Sequence, residues 1–205
     1  MSLDVAAEPP FDASKLSRQL ARAGWACFVM LLFTASADQL QSTLNASPYG
    51  WAHLIVADVA GVNVALFGYS YLGLRRYLMW HKFTRPRLLL EAVGWFAIAF
   101  GLLAIVLVSL SGLLVPSPSV TPAATERDSL YSLAGLVFAL PGVIIGVMIL
   151  LGPLRLFGLK HVFGLSLIVA AVVPSSIPYV STVSWSVQFV ALGIILLRAA
   201  DDVKA

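Results

Sequence analysis

The run Leu88–Val115, LLLEAVGWFAIAFGLLAIVLVSLSGLLV, decides the fold class of this chain. After Glu91 it continues without a charge, for longer than the roughly 20 residues a helix needs to cross a hydrocarbon core. Comparable apolar runs occupy Ala23–Leu40, Trp51–Leu74 and Leu130–Leu151. A last one, His161–Leu197, is too long for one helix and is interrupted at Pro174-Ser-Ser-Ile-Pro178, where proline cannot continue the helical hydrogen-bond ladder. It reads as a tight hairpin of two spans. The expectation is an all-α integral membrane protein, a bundle of six transmembrane helices.

Composition agrees with that expectation. Of 205 residues, 60% are hydrophobic and 11% charged, against about 25% charged in soluble domains. Too little polar surface is available to cover a soluble core of this size. The expected organisation is a tail over residues 1–20 with a short interfacial helix carrying Leu16 and Leu20, capped by Asp12 or Ser14. The bundle follows over 21–198, and a C-terminal tail over 199–205.

Charge placement sets the expected orientation. Lys15, Arg18 and Arg22 precede the first span, and Arg75, Arg76, Lys82, Arg85 and Arg87 separate the second from the third. Arg155 and Lys160 lie between the fourth and fifth, and Arg198 and Lys204 follow the sixth. Of the 13 lysines and arginines, Arg127 alone falls on the other side. The positive-inside rule then puts both termini in the cytoplasm. One rival concerns the first span: a basic segment, Gly24–Phe33 and the triplet Ala35-Ser36-Ala37 resemble a cleavable signal peptide, which would leave five spans. The long leading segment with Asp4, Glu8 and Asp12 favours a retained helix. The membrane could be a bacterial inner membrane or an organellar one, since nothing in the chain names its host.

A carboxylate inside a span is costly and is therefore a functional hypothesis by default. Asp58 lies seven residues past Trp51, about 10 Å along a helix. At 100° per residue it shares a face with Gly61, Ala65 and Gly68, small residues that admit a neighbouring helix. Its functional reading is a proton- or cation-binding group, with Asn63 and Gln188 as supporting donors. Its structural reading is a hydrogen-bonded link between helices, and Asn63 and Gln188 serve equally as interhelical glue. Asp38 and His53 could line an outer vestibule above Asp58. His53 and Asp58 lie roughly 140° apart round the helix, poor geometry for a shared metal, and no metal or cofactor is expected.

Arg75, Arg76, Lys82, Arg85 and Arg87 are interleaved with Tyr77, Trp80, His81 and Phe83. Between two spans this pattern reads as anchors on lipid headgroups and an aromatic belt, not as a nucleic-acid surface. Glu91 can pair with Arg87 one turn earlier. Pro141, Gly142 and Gly146 mark a kink and a close-packing groove in the fourth span. Cys27, the single cysteine, cannot form an internal disulfide and reads as a small core residue. Asn45-Ala46-Ser47 forms a glycosylation sequon in an expected outer loop. Gly24-Trp25, Gly94-Trp95 and Gly164 recur at 70-residue intervals, a faint repetition that chance explains better.

No Walker loop, nucleophile elbow, HExxH or dinucleotide fingerprint occurs, so an enzyme with a familiar cofactor is disfavoured. The leading expectation is an accessory, assembly or stabilising subunit, partnered by lipids and by other membrane chains or further copies of itself. The alternative is a small proton- or cation-coupled transporter or channel using Asp58. A third reading, an intramembrane lipid-modifying enzyme, requires acids or histidines to converge near one interface.

Overall fold

The computed structural model describes residues 12–44, 50–83, 86–114, 139–172 and 178–204, with side chains outside the description at 34–44, 50–57, 60, 108–114 and 178–182. Every regular element among them is helical: α1 (Ala13–Leu44), α2 (Gly50–Trp80), α3 (Arg87–Leu114), α4 (Ala139–Leu151), α5 (Lys160–Val172) and α6 (Pro178–Asp202). One helix falls on each of the six apolar runs, and the break at Pro174–Pro178 separates α5 from α6. Pro178 stands first in α6, where its missing N–H and fixed φ suit a helix start. Two stretches, Arg87–Leu107 and Val183–Asp202, are long and apolar enough to cross a membrane. The described lengths of α4 and α5 are apolar but shorter.

The helix ends follow from their residues. Asp12 caps α1: its Oδ1 accepts the backbone N–H of Ser14 at 2.9 Å and of Lys15 at 3.2 Å. The short helix expected in the tail is continuous with α1. Leu16 and Leu20 are buried against the core, and the Ser17 hydroxyl donates to Ala200 O at 2.6 Å, so this first turn packs on the end of α6. At the other end of α2, Lys82 adopts a left-handed φ of 58°. Phe83 N bonds Leu78 O and Lys82 N bonds Met79 O, the paired closure of a Schellman turn. The Lys160 ammonium donates to Gly152 O just beyond α4, placing a cation at the negative end of that helix.

Contacts between helices run antiparallel for α1 with α2, α2 with α3, α1 with α6 and α4 with α5, while α2 and α6 run parallel. The centre is α1, α2 and α6, where Leu20, Cys27, Met30, Tyr71, Leu74, Leu192, Ile195 and Leu196 are fully buried. Among the described residues four glycine pairs pack with backbones nearly touching: Gly24–Gly193, Gly61–Gly101, Gly68–Gly94 and Gly146–Gly164. A Cβ placed on Gly24 would lie 3.1 Å from Gly193 O, one on Gly94 3.1 Å from Gly68 O, and one on Gly164 3.2 Å from Gly146 O. The three glycines spaced by 70 residues therefore make the same contact, each odd helix meeting a glycine of an even one. Each is followed by an outward apolar residue, Trp25, Trp95 or Leu165.

Large apolar side chains also cover much of the outside, among them Leu32 at 68% exposure and Leu102 at 54%. Among the described side chains, the charged ones other than Asp58 gather instead at one end: the start of α1, the end of α2, the start of α3, the α4–α5 turn and the end of α6.

Candidate functional site

Asp58 sits on α2 one turn before Gly61, and its residue is half-buried. The small-residue face predicted from spacing is the face that meets α3. Space at Gly61 is closed by Ile105 and Gly101 O, and space at Gly68 by Gly94 O and Ile98. The complementary stripe on α3, Gly94, Ile98, Gly101 and Ile105, escaped the sequence reading, although its spacing of three and four residues was available as a signal. Asp58 Oδ1 is buried and has no hydrogen-bond partner among the described residues. A carboxylate oxygen in that position carries an unmet desolvation cost.

The residues proposed to assist Asp58 are not gathered around it. Gln188, fully buried on α6, donates from Nε2 to the Tyr71 hydroxyl at 3.0 Å. Tyr71 lies 13 residues beyond Asp58 on α2, about 20 Å along the helix. Asn63 is half-buried and lies well round α2 from Asp58. Asp38 and His53 fall on α1 and α2, but their side chains lie outside the described residues. The sequon at Asn45, the loop Pro116–Asp128 and Arg85 also lie outside them.

Two of the expected headgroup anchors serve internal contacts. Arg75 Nη2 meets Glu91 Oε2 at 2.9 Å across α2 and α3, a pairing that helical spacing around Glu91 could not reveal. Arg76 Nη1 donates to Gln19 Oε1 at 2.9 Å, tying α2 to α1. Lys82 is exposed and Arg87 half-buried at the start of α3. In α4, Gly146 faces Gly164 O and Ile168 of α5, and Gly142 faces Ala171, so this glycine pair is the α4–α5 seam. Pro141 is helical within α4.

A second cluster was missed. At the charged end, Asp202 Oδ2 accepts the Tyr77 hydroxyl at 3.3 Å and lies 3.1 Å from His81 Nε2. No local spacing links His81 to Asp202, which is 121 residues away in sequence. Tyr77 is three residues beyond the expected apolar span; burial, then the Asp202 charge, pushes its phenol above the ordinary range. Among the described residues, no three of His, Cys, Asp and Glu come together as a metal would require.

No protein-family model, curated protein or solved structure matches the chain.

Proposed function

We propose that the chain is a six-span membrane protein with both termini in the cytoplasm, acting as an accessory subunit that assembles or stabilises other membrane chains. The observation that carries the membrane placement is the division of its surface. Trp25, Leu32, Trp95, Leu102, Leu103 and Leu140 point outward along the helices, whereas charged groups collect at one end. In water such a surface would be a large association patch, whereas in lipid it is solvated by acyl chains. The accessory role is supported by an interior closed by glycine-to-backbone contacts and by polar side chains bonded to one another. At the charged end, the exposed Lys82 supports contact with anionic headgroups.

Lateral partners are tested by photo-crosslinking from Trp95 or Leu103 on the outer face of α3, in native membranes. Adducts to a defined protein are expected. Adducts to lipid alone, together with a stable monomer in mild detergent, would overturn the subunit role.

One observation favours a second reading, a proton- or cation-coupled carrier: the buried Asp58 Oδ1, which has no hydrogen-bond partner among the described residues. That reading requires Asp58→Asn to abolish pH-dependent solute flux in proteoliposomes. Unchanged flux, with lowered thermal stability instead, leaves Asp58 as a packing residue.

A further inference from the structure

The cluster at the charged end joins three parts of the chain that are far apart in sequence. Tyr77 is its hub. Its hydroxyl donates to Asp202, its ring meets His81 edge-on at 4.7 Å, and Phe157 stacks on it at 6.0 Å. Phe157 belongs to the turn between α4 and α5, where Leu156, Phe157 and Gly158 have φ of 45°, 56° and 82°. Left-handed backbone is easy for glycine and strained for leucine and phenylalanine, so this turn persists only because its surroundings hold it. Leu156 is buried, and the Arg198 guanidinium approaches Phe157 O at 3.5 Å. Both His81 and Asp202 remain partly open to water, with side-chain exposures of 33% and 40%.

We propose that Tyr77, His81 and Asp202 form a proton-operated latch that holds the strained α4–α5 turn against the ends of α2 and α6. Histidine is the side chain that changes charge within the physiological range. With the imidazole protonated, its contact with Asp202 becomes a charge-assisted ion pair. The carboxylate is then fixed beneath the Tyr77 hydroxyl, and the ring that supports Phe157 is fixed with it. With the imidazole neutral the charge-assisted part of that attraction is lost, leaving at most a weaker hydrogen bond, and the turn opens more often. The other charged groups on the packed elements are Asp12, Lys15, Arg18 and Arg22 at the start of α1, Arg75, Arg76 and Lys82 at the end of α2, Arg155, Lys160 and His161 around the turn, Arg198 on α6, and Asp201 with Lys204 at the chain end. Lys204 lies 3.9 Å from Asp201, which leaves Asp202 to Tyr77 and His81.

Hydrogen exchange of the full chain in lipid nanodiscs reads the latch through the Gly158 and Leu159 amides, which bond Arg155 O and Leu156 O. After correction for intrinsic exchange, their opening should increase about two- to fivefold between about pH 5.5 and about pH 8, the range of a half-exposed ion pair. His81→Gln and Asp202→Asn should each abolish the difference, and His161→Gln should keep it. Tyr77→Phe retains the ring but removes the link. It should leave the fold and the His81–Asp202 contact in place while the turn amides lose their pH response. Turn protection that does not vary with pH in the unmodified chain overturns the latch, as does a response that survives His81→Gln. Should His81→Gln fail to fold, a pH response of the turn that is unchanged in Tyr77→Phe overturns it equally.

Discussion

Gln188 Nε2 donates to the Tyr71 hydroxyl at 3.0 Å, joining α6 to α2 where both side chains are fully buried. Gln188 Oε1 has no partner there. Tyr71→Phe removes the remaining bond and strands the whole amide, which should cost about 1–3 kcal/mol. Replacing both partners, Tyr71→Phe with Gln188→Leu, should cost less than Tyr71→Phe alone, because no amide is left to desolvate. Thermal unfolding in detergent measures both, and equal or greater loss in the double variant would show the bond is not a closed pair.

Glycines on the helix seams should respond in opposite directions. A methyl on Gly68 meets Gly94 O and the backbone N of Ile98, so Gly68→Ala should destabilise by about 1–3 kcal/mol through forced separation of α2 and α3. A methyl on Gly142 finds Ala171 Cβ at 3.6 Å, ordinary contact distance. Gly142→Ala should therefore be neutral or stabilise by roughly 0.5–1 kcal/mol through helix propensity. Melting temperatures of the two variants, compared directly, decide the matter.

The Arg75–Glu91 ion pair is half-open on its acidic side, with exposures of 15% and 37%. Glu91→Gln should cost no more than about 1 kcal/mol in denaturation. Arg75→Glu should cost more, since two carboxylates then face each other across α2 and α3. The exchanged pair Arg75→Glu with Glu91→Arg should recover part of the loss, and no recovery would mean that the contact is incidental.

The cap of α1 carries a pH signature. Hydrogen bonds from Ser14, then from Lys15, hold the Asp12 carboxyl below its ordinary value. A carboxyl depressed in the folded state contributes stability above its unfolded value and loses it as pH falls through the folded one. Exchange of the Ser14 and Lys15 amides should rise on acidification across that interval, after intrinsic correction. Asp12→Ala should show fast exchange at every pH, and slow exchange in that variant would remove Asp12 as the cap.

Several of these features can be read along one dimension. Apolar runs and prolines locate the helices, and the face Gly61–Ala65–Gly68 is evident from spacing because residues three and four apart lie on one side of a helix. The Asp12 cap is equally local. The helix expected in the tail starts at its expected cap, but its continuity with α1 and the cover of Leu16 and Leu20 near the end of α6 are not local properties.

By itself, the sequence determined where helices form, which faces are small or apolar, and on which loops the cations fall. Those properties depend on neighbours within about one turn or on composition. Only the tertiary structure decided which faces meet: α1 with α6, Tyr71 with Gln188, Glu91 with Arg75, and His81 with Asp202. A helix face has a direction but no address, and the choice among possible partners is settled by packing the whole bundle at once. The same packing turned glycines repeated every 70 residues into one recurring contact, and left Asp58 Oδ1 buried without a hydrogen-bond partner among the described residues.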